Sequence, residues 1–179
     1  MLRLLSRRAA HACVCASAIW LISAGFAAAE NLPEWINAKP QAKLVVLAMD
    51  AGVGDNNGGL NYNGHHEGHN RIAIPTGWTV IVRMRNADSR VPHSALITRV
   101  YRQEEMPDRL GPPDAVFPGA ATAVPHTGTA AGGYAEFTFV ANKAGKYFVS
   151  CGVHTHLQAG MWLPLDIVEG LSAPEWHSH

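Results

Sequence analysis

The sequence predicts an all-β chain, an antiparallel sandwich or barrel. Past Glu30 no apolar period of helical spacing is sustained over more than two turns, and short β-rich runs recur between clusters of Gly, Pro and Asn. Within those runs, apolar residues alternate. In 134–140, Tyr134, Glu136, Thr138 and Val140 oppose Ala135, Phe137 and Phe139, while Trp78, Val80, Ile81, Val82 and Met84 make a mostly apolar set. Such alternation puts one face of a strand into a core.

Residues 1–29 read as an export leader rather than as part of the domain. Arg3, Arg7 and Arg8 precede an almost uncharged apolar run ending at Phe26, and Ala27-Ala28-Ala29 offers small residues for cleavage before Glu30. His11, Ser17, Ser23 and Gly25 interrupt the run, which sits at the short end of the ~20 residues needed to cross a bilayer. The expected location is therefore periplasmic or otherwise exported, with membrane association only through a partner or an uncleaved leader.

Residues 30–179 are the size of one ordinary domain, with the core expected over about 43–169 and a frayed tail after it. The expected strands are 43–49, 60–62, 71–74, 78–85, 94–101, 134–140, 146–150 and 161–168. Turn-forming segments separate them at 52–59, 75–77 and 141–145. The segment 106–133, rich in Pro, Gly and Ala, is too long for a hairpin loop; it must carry a short helix or pack as an irregular flap over one end of the sandwich.

Charge and cysteine usage narrow the function. Without the leader, eleven Lys and Arg face fourteen Asp and Glu, so there is no basic surface for nucleic acid. Cys13 and Cys15 lie in the leader, which leaves Cys151 as the lone thiol of the exported part. In an oxidising compartment a lone thiol is a buried apolar group, a nucleophile, an intermolecular bridge or a metal ligand.

The neighbours of Cys151 favour the metal. Cys151 closes one expected strand and Met161 opens the next, with His154 and His156 between them. One thiolate, two imidazoles and a weak axial thioether are the donor set of a blue-copper site. The loop lacks a second equatorial imidazole from elsewhere in the chain, and His93 supplies it best. It follows the stiffening Pro92 at the start of an expected strand, where the fold holds a side chain rigidly.

The stretch Cys151-Gly152-Val153, His156, Gly160-Met161-Trp162 resembles sulfocyanin and shares its ligand spacing with rusticyanin. Leu60-Asn61-Tyr62-Asn63-Gly64, Ile74-Pro75-Thr76-Gly77-Trp78 and Val91-Pro92-His93-Ser94 resemble sulfocyanin segments as well, so the similarity runs from about residue 43 to 168. The resemblance implies the cupredoxin fold, a Greek-key β-sandwich or barrel of about seven or eight strands. It implies one mononuclear type 1 copper, with His93, Cys151 and His156 as equatorial ligands and Met161 as the axial one. It also implies single-electron transfer in a respiratory chain, with a cytochrome or terminal oxidase as partner. One departure stands out. His154 lies three residues after Cys151, a plastocyanin-like spacing, and competes with His156 for one coordination place.

Rival readings are weaker. A thiol enzyme lacks an orienting acid near Cys151 and a helix start to stabilise an oxyanion. A multicopper oxidase or binuclear copper centre needs ligands this chain does not offer, so a non-enzymatic monomer is expected. The alternative is a periplasmic copper-binding or delivery protein, for which His65, His66 and His69 would form a capture loop; the same residues also read as a solvated polar loop. His126, His177 and His179 read as surface residues, and Trp162 as packing.

Overall fold

The computed structural model describes residues 32–178; the leader reading for 1–29 and the terminal His179 lie outside them. Nine strands form among the described residues: β1 (Ile36–Lys39), β2 (Leu44–Ala51), β3 (Asn70–Pro75), β4 (Thr79–Asn86), β5 (Leu96–Arg99), β6 (Tyr134–Val140), β7 (Gly145–Ser150), β8 (Trp162–Val168) and β9 (Glu175–Ser178). They build two sheets, one in the order β1-β2-β4-β6 and the other β5-β7-β8-β3-β9. The only helical pieces among these residues are single 3-10 turns.

The apolar alternation places the core between the sheets. Val45, Leu47, Met49 and Ala51 of β2 share a buried face with Val80, Val82 and Met84 of β4, in register Val45 to Val80 and Leu47 to Val82. Phe137 and Phe139 of β6 are buried, whereas Tyr134, Glu136, Thr138 and Val140 face outward, as their alternation requires. From the other sheet come Ile72, Ile74, Leu163, Leu165 and Ile167. Strand β7 departs from alternation because both its faces are covered: Tyr147 and Val149 enter the main core, while Phe148 joins Leu96, Tyr101, Met106, Leu110 and Leu157 in a second cluster.

Three features differ from the sequence-based expectation. The sandwich is mixed, because β2 pairs with β4 and β3 with β8 in parallel. The chain passes from sheet to sheet between these partners, so they run the same way; a hairpin would reverse them. Residues 60–62 form only isolated bridges, through Tyr62 to Ala51 and His65. The tail is an ordered strand: β9 pairs antiparallel with β3, and Trp176 packs edge-on against Trp35 at 5.0 Å and beside His65 at 4.9 Å. Half-burying that indole against Trp35, together with the pairing to β3, offsets the entropy of ordering the terminus.

The segment 106–133 is an irregular flap lying along β5 and over one end of the sandwich. The Val116 N–H donates to the Ile97 carbonyl, Ile97 N–H to Ala120 and Thr122 N–H to Ala95, so the flap pairs the open edge of β5.

Candidate metal centre

The loop between β7 and β8 is closed at its base, where the Cys151 N–H donates to the Met161 carbonyl at 3.1 Å. Inside it, His156 N–H donates to Val153, Ala159 to Thr155 and Met161 to His156, a helix-like coil that turns His156 back toward Cys151. Neighbouring segments brace this coil. The Asn57 amide donates to the Ala159 carbonyl at 2.7 Å, Glu67 N–H to Gly160 at 2.9 Å, and Thr155 N–H to Asp108 at 2.7 Å. Gly152 is required by close approach: a Cβ there would stand 2.7 Å from the Leu110 carbonyl oxygen and 2.9 Å from Pro125 Cβ, so the flap sits directly on the loop.

His93 comes from the segment leading into β5, the strand paired with β7, and its backbone exchanges hydrogen bonds with Thr129 of the flap. One donor atom each of His93, Cys151 and His156 lies within 4.8 Å of the other two, and among the described residues no other group of three His, Cys, Asp or Glu converges so. Cys151 Sγ is 3.4 Å from His156 Nδ1, and the two imidazole rings are 5.1 Å apart between centroids. His93 and Cys151 are fully buried and His156 is 9% exposed, which makes His156 the least covered of the three. Met161 is fully buried in the same apolar cluster as Cys151.

The His154 side chain is 53% exposed and lies outside this group, its Nδ1 3.3 Å from Asp108 Oδ2 at the surface. His65 Nδ1 meets the Asn70 amide at 2.9 Å, and His66 stands edge-on to His69 with centroids 4.9 Å apart. Trp162 stacks on Phe148 at 4.1 Å, a packing contact beside the site.

Electrostatics suit an ion bound by neutral imidazoles. Burial, reinforced by the neighbouring His93, pushes the His156 pKa down to about 4, and burial also lowers that of His93. Burial raises the pKa of the Cys151 thiol, against which the Ser94 and Val153 backbone N–H groups and the Ser94 hydroxyl favour the thiolate. Without a cation the pocket therefore keeps its thiol protonated and its imidazoles neutral. A soft cation would complete it, because metal binding displaces the thiol proton and offsets the burial of the thiolate.

Several groups behind the donors escape a reading of the sequence. The Ser94 N–H points at Cys151 Sγ at 3.4 Å, and the Ser94 hydroxyl accepts from Gly152 N–H at 2.8 Å. The Tyr62 hydroxyl donates to the Ser94 carbonyl from full burial. Asp88, nearly buried, lies 3.4 Å from His93. The adjacency of Ser94 to His93 is a signal in the sequence; nothing in the spacing points to Tyr62 or Asp88.

Residues 33–176 match the family model described as the sulfocyanin (SoxE) domain. The chain belongs to the sulfocyanin family. It is 29% identical over 135 residues to sulfocyanin of Sulfolobus acidocaldarius, an alignment covering 74% of this chain and 67% of that one. Its fold is that of solved cupredoxins. Auracyanin A, a "blue" copper protein of Chloroflexus aurantiacus, superposes with TM-score 0.50 at 16% identity over 70% of this chain and 99% of that one. Auracyanin B superposes with TM-score 0.50 at 18% identity over 74% of this chain and 92% of its own. Sulfocyanins are blue-copper cupredoxins, proteins of electron transfer that carry one type 1 copper. The donors present fit that ion: thiolate, two neutral imidazoles and a buried thioether are its preferred set, and the buried Nδ1 of His93 has no hydrogen-bond partner.

Proposed function

We propose that this sulfocyanin is an exported electron carrier that shuttles single electrons between respiratory partners, and that His93, Cys151 and His156, with Met161 as a weaker fourth donor, would hold its copper. The observation that carries this reading is the convergence of three soft or borderline donors from two separate segments at one buried point. When bound, the copper supplies one-electron exchange. The chain's part is to keep the donors still. Cys151 is tied to Met161 through its backbone, His93 to Thr129, and the intervening coil to Asn57, Glu67 and Asp108. Donors that do not move when the charge changes keep reorganisation small. His156, the least covered donor, is the edge at which an electron enters or leaves, and a cytochrome or terminal oxidase would dock there.

Export rests on residues 1–29, with removal after Ala29 leaving one domain from Glu30 onward. The mass of the secreted protein tests this: a mature form that retains the leader would indicate anchoring.

The copper reading is tested by the visible spectrum of the mature protein loaded with cupric ion. An intense thiolate-to-copper band is expected in the wild type, absent in Cys151→Ser, strongly altered in His156→Ala and unchanged in His154→Ala. A colourless protein that releases its copper readily would overturn the carrier reading in favour of copper delivery. Stopped-flow mixing tests the partners; exchange with cytochromes or an oxidase no faster than background would remove the respiratory assignment.

A further inference from the structure

Asp88 is a carboxylate whose side chain is only 2% exposed, set in the connection between β4 and His93. Its backbone N–H donates to Asn86 Oδ1 at 2.9 Å, and the Asn86 amide in turn donates to the carbonyls of Val91 at 2.9 Å and Thr129 at 2.8 Å. Asp88 Oδ1 accepts from the Arg90 N–H at 2.7 Å and faces the Arg90 Nε at 3.4 Å. This arrangement leaves Oδ2 directed at His93 Nε2, 3.4 Å away. Gly52 permits the contact: at φ +78° a Cβ there would stand 2.5 Å from Asp88 Cβ and 3.0 Å from His93 Nε2, so any side chain at this position would push the two apart.

A neutral imidazole carries one N–H, and an ionised carboxylate can only accept. The proton of His93 therefore belongs on Nε2, and the lone pair falls on Nδ1, the atom that is buried and without a partner. We propose that Asp88 is a positioning residue that locks His93 in the Nε2–H tautomer, presents Nδ1 to the copper and places a buried negative charge across the ring from it. The proposal rests on His93 being a copper ligand. Carboxylates behind metal-bound histidines orient the ring and raise its basicity. A negative charge here also favours the cupric over the cuprous ion, so Asp88 holds the reduction potential down.

Asp88→Asn, nearly isosteric, tests this. Cupric affinity is expected to fall about ten- to a hundred-fold. Each tenfold of loss not shared by the cuprous ion raises the potential by about 59 mV. Arg90→Gln, which removes the cation paired with the carboxylate, is expected to lower the potential. Loosening of the loop would move both variants the same way, so opposite shifts identify the charge. Imidazole NMR of the copper-free protein gives an independent readout: a hydrogen-bonded Nε2–H on His93 in the wild type, weakened in Asp88→Asn, whose amide oxygen is an uncharged acceptor. A wild type without a thiolate-to-copper band sinks the ligand assignment itself. A blue wild type whose Asp88→Asn variant keeps its affinity and potential overturns the role of Asp88. Should Asp88→Asn not fold, an Arg90→Gln potential that is unchanged or raised overturns it equally.

Discussion

His156 is where the physics of a single residue is most exposed to measurement. Its pKa of about 4 lies below the ordinary imidazole value of 6.5, with burial the first cause and His93 the second. In the copper-free protein the unfolded chain then binds more protons than the folded one across that interval, so stability rises with pH. The contribution is complete above about pH 6.5 and is lost as pH falls toward 4, amounting after solvent screening to on the order of 2 kcal/mol. Urea unfolding of copper-free protein across this range should show the loss, and a His156→Ala variant should show a flatter profile. Equal slopes in the two proteins would mean that His156 keeps an ordinary pKa.

At the level of elements, the ligand loop depends on supports outside itself. Asn57, left-handed at φ +50°, spends its amide on two carbonyls, Leu60 at 2.9 Å and Ala159 at 2.7 Å. Asn57→Ala loses both bonds and places a residue with no local compensation in that conformation; a destabilisation of about 1–2 kcal/mol follows. Thermal unfolding should register it as a drop of a few degrees, and an unaltered midpoint would show that the brace is idle. Strand β9 makes a second test. Ending the chain at Pro174 removes the pairing with β3 and the contact of Trp176 with Trp35, costing roughly 2 kcal/mol, which unfolding of the truncated protein measures against the full chain.

For the molecule as a whole, the copper end and the hydrophobic core share one structure, since Cys151 and Met161 belong to the cluster that includes Val45, Val82 and Phe139. An ion that binds only the folded state must raise the stability of the whole, by about 2.7 kcal/mol at a hundredfold excess over its dissociation constant. Copper should therefore lift the unfolding midpoint of the wild type and do so far less in Cys151→Ser. Equal midpoints with and without copper would contradict a site built into the core.

Local properties of the chain are legible in the amino-acid sequence by itself. The period-two alternation in 134–140 marks Phe137 and Phe139 as buried because a pleated strand sends successive side chains to opposite faces. Cys151, His156 and Met161 are readable as candidate donors for a similar reason: they occupy one short loop between strands. What the sequence could not decide depends on atoms brought together from distant positions. Strand β9 forms because Trp176 meets Trp35 across the sandwich, and the parallel pairing of β2 with β4 follows from the route of the chain between sheets. His154 and His156 are both within reach of Cys151 along the chain. Only the coil of the loop turns His156 inward to 3.4 Å from the sulfur and leaves His154 beside Asp108 at the surface. The contact of Asp88 with His93 depends on Gly52, at another strand's end, having no side chain to push them apart. Residue type and spacing determine which chemistry is available, whereas the packing of the two sheets decides which of those atoms meet.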